Sequence, residues 1–147
     1  MAAGTFTLYN GVSEYLGDGT VDMDNDTFNI TLHTSSYTPA GTQDAYANLT
    51  NELGTANGYT AGGAALATVT WTRSVGVTKF DSDDQVWTAS GGSIVARYAV
   101  IRSTTADKLI GYYLLDDAPA DLTATDGNTF TVGPNASTGW SQHSVNA

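Results

Sequence analysis

The sequence predicts an all-β domain, either an antiparallel two-sheet sandwich or a jelly-roll-like barrel, with one or two short helices. Its 147 residues include 23 Thr but only two Glu and two Lys, so strand-favouring residues outnumber good helix formers. Apolar and polar residues alternate over strand-length segments. Gly, Asn and Asp cluster between those segments, as they do in the turns that connect strands.

Length and composition predict one domain over residues 1–147, with an N-terminal arm at 1–10 and a C-terminal tail at 133–147. The chain has no Cys, which excludes disulfides, Cys-based zinc sites and thiol nucleophiles. Five Lys and Arg against 15 Asp and Glu give a net charge of -10, which argues against nucleic-acid binding through phosphates. The sequence has neither a signal-peptide pattern nor an apolar run of about 18 residues, so we expect cytoplasmic synthesis and no membrane partner.

Two short helices are predicted in the first third of the chain. Apolar residues at i, i+4, i+7 and i+8 begin at Leu8, and Gly17 is expected to end this helix. A second set of helically spaced apolar residues lies between Asp44, a candidate N-cap, and Gly54, a candidate stop.

The strand predictions follow from the period of the apolar residues. Alternation predicts half-buried strands at 27–33, 67–73 and 129–132, and shorter strands at 75–80 and 85–89. Segments 94–101 and 109–115 are apolar on both faces, which predicts a central antiparallel pair. Gly91 and Gly92 predict a tight hairpin turn. The predicted core is Phe28, Ile30, Leu32, Val69, Trp71, Trp87, Ile94, Tyr98, Val100, Ile110, Tyr112 and Leu114.

The most acidic run, residues 18–26, is a candidate metal site. Asp22, Asp24 and Asp26 place oxygen ligands at alternate positions, which suits a hard cation such as Ca²⁺. The run differs from an EF-hand loop, because its Gly is misplaced and no Glu occupies the last ligand position. A solvated turn leading into the strand at Thr27 is the simpler interpretation, and no other cofactor is expected.

No pattern predicts catalysis. The chain has no G-x-S-x-G motif, and no spacing among its many Asp residues selects an acid–base pair. Both histidines, His33 and His143, are expected at the surface without a nucleophile beside them. We therefore expect a protein that is not an enzyme.

The chain ends are the predicted contact regions. Trp140 lies in a polar segment without periodicity, where an aromatic side chain can anchor a partner or pack on its own domain. Together with Phe6 and Tyr9 of the arm and His143 of the tail, it forms the predicted partner interface.

Several segments, taken in order, carry a family resemblance. They read TFTLYN at 5–10, EYLGDGTVD at 14–22, TF at 27–28, TSSYTP at 34–39, TNEL at 50–53, GYTAGG at 58–63, WTA at 87–89, IVARYAVI at 94–101 and LIGY at 109–112. In this order they resemble a family of small structural proteins from tailed bacteriophages. The resemblance covers roughly residues 5–132, and the tail beyond Gly133 has no counterpart in it.

The resemblance implies a non-enzymatic virion protein and supplies no catalytic residues. The specific expectation is a capsid decoration (cement) protein, a homotrimer that binds the major capsid protein on the outer surface of the head. A tail or head–tail connector component is one alternative, and a carbohydrate-binding module on the virion is another. The charge of -10 would repel packaged DNA, which favours the outer surface.

Overall fold

The computed structural model describes residues 4–144, which form twelve β-strands, one α-helix and one 3-10 turn. The elements are β1 Thr7–Leu8, α1 Val12–Asp18, β2 Phe28–His33, the 3-10 turn Tyr46–Asn48, β3 Ala64–Ala65, β4 Thr70–Ser74, β5 Val77–Asp81, β6 Gln85–Thr88, β7 Ile94–Ala96, β8 Tyr98–Ser103, β9 Lys108–Leu114, β10 Leu122–Ala124, β11 Thr129–Val132 and β12 Ser141–Ser144.

The strands form four antiparallel sheets. The central sheet has five strands in the order β1-β9-β8-β2-β3, and a three-stranded sheet has the order β12-β5-β4. Two-stranded sheets pair β10 with β7 and β11 with β6. The all-β prediction is confirmed in a sandwich-like form, and these sheets do not close into a barrel within residues 4–144.

The main hydrophobic core lies between the central sheet and the three smaller sheets. Phe28 of β2 packs edge-on against Phe80 of β5, with ring centroids 5.2 Å apart. Burial removes such side chains from water and is the main stabilising term of the fold. Seven predicted core residues are buried, and the other five are half-buried: Val69, Trp71, Tyr98, Tyr112 and Leu114.

The opposite face of the central sheet is also covered. Helix α1 and its approach contribute Val12 and Tyr9 to a second core, in which Tyr37 and the sheet residues Val100 and Leu109 are also buried. Because both faces of the sheet are covered, β8 and β9 are apolar on both sides. They pair antiparallel, as predicted.

One predicted strand is two strands in different sheets. The segment 94–101 divides at Arg97, whose N–H donates to the His33 carbonyl while its own carbonyl accepts from the Leu115 N–H. These bonds let the chain leave β7 of one sheet and enter β8 of another. The predicted hairpin at Gly91 and Gly92 is wrong for the same reason, because β6 and β7 pair with β11 and β10 rather than with each other.

The first predicted helix is confirmed over Val12–Asp18, although Leu8, its expected first residue, lies in β1, and the second predicted helix is wrong. Helix α1 continues through Gly17 and ends at Gly19, whose φ of 77° is the left-handed conformation that stops helices. In place of the second helix, the 3-10 turn is followed by extended chain. The Leu53 N–H donates to the Leu32 carbonyl, so backbone bonds to β2 replace helical ones.

Glu52 holds this extended segment against the domain. Its Oε1 accepts hydrogen bonds from the Tyr59 hydroxyl (2.7 Å) and the Gly62 N–H (2.6 Å), and its Oε2 accepts from the Tyr46 hydroxyl. The bond to Glu52 raises the pKa of Tyr46, and burial raises the pKa of Tyr59. One carboxylate thus fixes three points of a long, irregular segment.

Removing this carboxylate is expected to destabilise the protein. Glu52→Ala leaves three donors without their acceptor, so we expect the free energy of unfolding to fall by about 2–4 kcal/mol. Glu52→Gln keeps one acceptor oxygen and is expected to cost about half as much. Chemical denaturation measures both, with Glu14→Ala on the exposed face of α1 as the matched control. Equal stability of Glu52→Ala and Glu14→Ala would contradict this role.

Candidate functional site

The two chain ends lie side by side on the domain. Strand β1 is an edge strand of the central sheet, and the Gly4 N–H before it donates to the Leu114 carbonyl at 2.8 Å. Strand β12 is an edge strand of the three-stranded sheet, and the Trp140 N–H before it donates to the Phe80 carbonyl at 2.8 Å. Residues 1–3 of the predicted arm and 145–147 of the predicted tail lie outside the described residues.

Three aromatic rings join the ends. Phe6 lies 5.3 Å from Tyr113 and 5.9 Å from Trp140, and Tyr113 lies 5.6 Å from Trp140, measured between ring centroids. Tilted and edge-on contacts at these distances are favourable for aromatic pairs. The cluster is the floor of a groove of about 440 Å³ between the chain ends, which we call the terminal groove.

The rim of the terminal groove is polar and held by short-range hydrogen bonds. Asn135 and Gly139 exchange backbone hydrogen bonds, and the Asn135 Oδ1 accepts from the N–H groups of Ser137 and Thr138. Thr138 is exposed on this tight loop. An apolar floor with a polar, preorganised rim is typical of a contact patch.

The four predicted interface residues do not form one site. Phe6 is half-buried, and it meets Trp140 in the terminal groove. Trp140 is 2% exposed and its Nε1–H donates to the Ser82 hydroxyl at 2.9 Å. Tyr9 is also 2% exposed, and it lies in the second core. The expectation of exposed anchors therefore fails at these two residues, because both pack on their own chain.

His143, the fourth, lies apart from the groove. Its ring is half-buried and meets Trp71 edge-on at 5.0 Å, and its Nε2 lies 3.4 Å from the Ser141 hydroxyl. Burial lowers the pKa of His143. The contact fastens β12 to β4 across the three-stranded sheet.

The acidic run does not bring its carboxylates together. Asp22 is used within its own turn, where its Oδ1 accepts from the N–H groups of Asp24 and Asn25. Asp26 instead accepts a hydrogen bond from the Ser103 hydroxyl at 2.8 Å. Within residues 4–144 no three Asp, Glu or His side chains converge on a point that could hold a metal ion. The local structure is the turn that the simpler interpretation described.

His33 is fully buried, which corrects the prediction that it lies at the surface. Its Nδ1 donates to the Thr50 carbonyl at 2.8 Å, since that oxygen can only accept. Its Nε2 then accepts from the Thr31 hydroxyl at 2.9 Å. Its ring packs against Tyr37 at a tilt of 36°, with centroids 4.6 Å apart. With both nitrogens engaged, the imidazole is a structural link between β2 and the following loops.

No aromatic side chain is fully exposed within the described residues. The large hydrophobic side chains that are exposed there are all valines: Val75, Val86 and Val95. Trp87 is 7% exposed and Trp71 is half-buried, so neither presents a free ring face. Sugar-binding sites commonly use such faces, and this geometry gives the carbohydrate-binding alternative no specific support.

Comparison with known proteins adds no relative to this description. No protein-family model, curated protein or solved structure matches the chain. Among residues 4–144, no helix has the length and apolar character needed to span a membrane.

Burial of His33 predicts a pH dependence of stability. Burial lowers the pKa of His33 below its ordinary value of about 6.5. Just below pH 6.5, therefore, the imidazole is protonated in the unfolded chain and still neutral in the folded chain. The stabilisation is present above pH 6.5 and is lost as the pH falls below it, by up to about 1.4 kcal/mol per pH unit.

Urea denaturation between pH 7.5 and pH 5 measures this effect. His33→Asn is expected to be less stable at pH 7.5 but to lose less stability on acidification than the wild type. His143→Gln is the matched control and is expected to keep most of the wild-type slope. Identical slopes for the wild type and His33→Asn would contradict the assignment.

Proposed function

We propose that this chain is a non-enzymatic structural protein of a tailed-bacteriophage particle, specifically a capsid decoration (cement) protein. In this proposal it binds the outer surface of the head as a homotrimer and stabilises contacts between major capsid proteins. The observation that carries the proposal is the terminal groove, because both chain ends are packed into one preorganised patch in which Phe6, Tyr113 and Trp140 support a polar rim. The resemblance to small virion proteins supplies the biological setting.

Charge supports a location outside the shell. Carboxylates outnumber cations by 15 to 5. Four of the five cations lie within 4.0 Å of a carboxylate: Lys79 with Asp81, Arg97 with Asp121, Arg102 with Asp107 and Lys108 with Asp44. The surface left over is strongly anionic, so it repels packaged DNA and keeps free copies soluble.

The mechanism requires no chemistry beyond surface burial. A contact patch the size of the terminal groove is small, and a single copy would bind weakly through it. Three linked copies engage three capsid subunits at once, which multiplies a modest contact into a stable attachment. A protein attached in this way ties neighbouring capsid subunits together and resists expansion of the shell.

Blocking the groove is expected to weaken shell binding without unfolding the protein. Thr138→Arg places a long side chain on the exposed rim of the groove. We expect its affinity for particles that lack the protein to fall at least tenfold, while its melting temperature stays within about 2 °C of the wild type. Co-sedimentation of labelled protein with such particles measures the affinity and the number of sites.

Thr129→Arg, on the exposed side of β11, is the control and carries the same added charge. It is expected to bind like the wild type. Equal binding by Thr138→Arg and Thr129→Arg would show that the terminal groove does not contact the shell. Saturation at a few tens of copies per particle would favour the tail or connector alternative, and no binding to any particle component would contradict a virion role.

A further inference from the structure

The tip of the β4–β5 hairpin carries a residue type that its turn conformation disfavours. Val75 and Gly76 form the two-residue turn, with φ angles of 48° and 79°, between the paired residues Ser74 and Val77. Two-residue turns with positive φ at both positions favour Asn, Asp or Gly, because a branched side chain is strained there. Val75 is nonetheless in this conformation, and its side chain is 99% exposed. Neither its backbone nor its solvation is favourable in a single copy.

A second β-branched residue at positive φ has a local explanation. Thr68 has a φ of 52°, and its hydroxyl donates to the Asp83 carboxylate at 2.6 Å. Val75 has no polar group with which to make such a bond. Strain of this kind persists where a residue serves a function, and an exposed apolar tip suits a contact with another molecule.

The charge beside the tip indicates what kind of surface the tip can contact. Arg73, two residues from the tip, is exposed and is the one cation of five without a carboxylate within 4.0 Å in the described residues. The tip therefore presents an apolar side chain beside a free guanidinium. It fits an apolar hollow with a carboxylate at its edge.

The domain itself carries a pocket of mixed polar and apolar character with carboxylates beside it. A pocket of about 360 Å³ is lined by Leu16, Gly19, Val21, Asp22, Met23 and Trp71. Asp22 is exposed at this pocket, and the exposed Asp24 follows it in the same turn. Apolar side chains and carboxylates thus occur together, as the tip requires.

A copy cannot fill this pocket with its own tip. Trp71 lies in β4, four residues before Val75, and an extended strand separates such residues by about 13 Å. The hairpin is closed by five cross-strand pairs and cannot fold back on itself. The tip and the pocket can therefore meet only between two copies.

We propose that the Val75 tip of one copy inserts into the Leu16–Met23–Trp71 pocket of the next copy, with Arg73 paired to Asp24. A contact between two different surfaces is head-to-tail, and it closes into a ring when the rotation between copies permits. The inference rests on the proposed function and deepens it, because such a ring would supply the homotrimer named there, although decoration itself does not depend on this particular contact.

Replacing Val75 separates folding from assembly. Val75→Asn suits the left-handed turn, so we expect a higher melting temperature together with an apparent dissociation constant of self-association raised at least tenfold. Sedimentation equilibrium of the purified full chain over a range of concentrations measures the assembly. Val95→Thr, which alters another exposed valine on β7, is the matched control and is expected to change neither quantity.

A charge exchange tests the partner surface. Arg73→Asp and Asp24→Arg are each expected to weaken self-association at least tenfold, and the double variant in one chain is expected to recover most of the loss. A wild type that stays monomeric up to millimolar concentration would overturn the inference. So would an oligomer that is unchanged by Val75→Asn and by both charge reversals.

These measurements use free protein, so they fail independently of the proposed function. A monomer found in hundreds of copies on phage heads would overturn the inference and leave the decoration role in place. A ring of the expected kind that is absent from particles would support the inference and contradict the decoration role.

Discussion

Burial of both faces of the central sheet determines how its polar residues and the loops around it are arranged. The small sheets cover one face and α1 with the loop after β2 covers the other, so most of the central strands' side chains are buried. Polar side chains on β2 must then find partners inside the protein, since an unpaired buried polar group is costly. Thr31 and His33 do so through each other and through the Thr50 carbonyl. The same constraint explains why Glu52 accepts hydrogen bonds from three donors of a segment that has little regular structure.

The sequence pattern was sufficient to predict strands whose position depends only on the local arrangement of apolar residues. Alternation located β2 and β11, and apolar character on both faces identified β8 and β9 as neighbours. The pattern was insufficient where contacts distant in sequence determine the secondary structure of a segment. Residues 94–101 form one apolar run, yet the chain changes sheets within it because backbone bonds at Arg97 join it to other elements. The helical spacing before Gly54 was overridden by backbone bonds to β2, and nothing in the pattern around His33 signals that a loop will cover it. For the candidate site, the sequence indicated the chain ends and Phe6, but it could not show that Trp140 packs inward or that both ends meet.

The two surfaces described above have different physical characters and suit different partners. The terminal groove is preorganised, with a hydrogen-bonded rim over aromatic rings, and its residues gain stability from their own chain. The hairpin tip differs, because Val75 has an unfavourable backbone conformation and a fully exposed side chain. In the proposed roles the groove contacts the shell and the tip contacts a second copy, and neither contact uses a catalytic group. The excess of carboxylates would keep free copies apart before they bind.

Coverage of the lattice of a phage head by this protein, as proposed, is tested by its copy number in purified particles. Quantitative mass spectrometry of intact particles, with the major capsid protein as the internal reference, gives the ratio of the two chains. A decoration protein is expected in hundreds of copies per particle, in a simple ratio to the capsid subunit. A ratio corresponding to a few copies or a few tens would place the protein in the tail or connector, and its absence from particles would contradict the account.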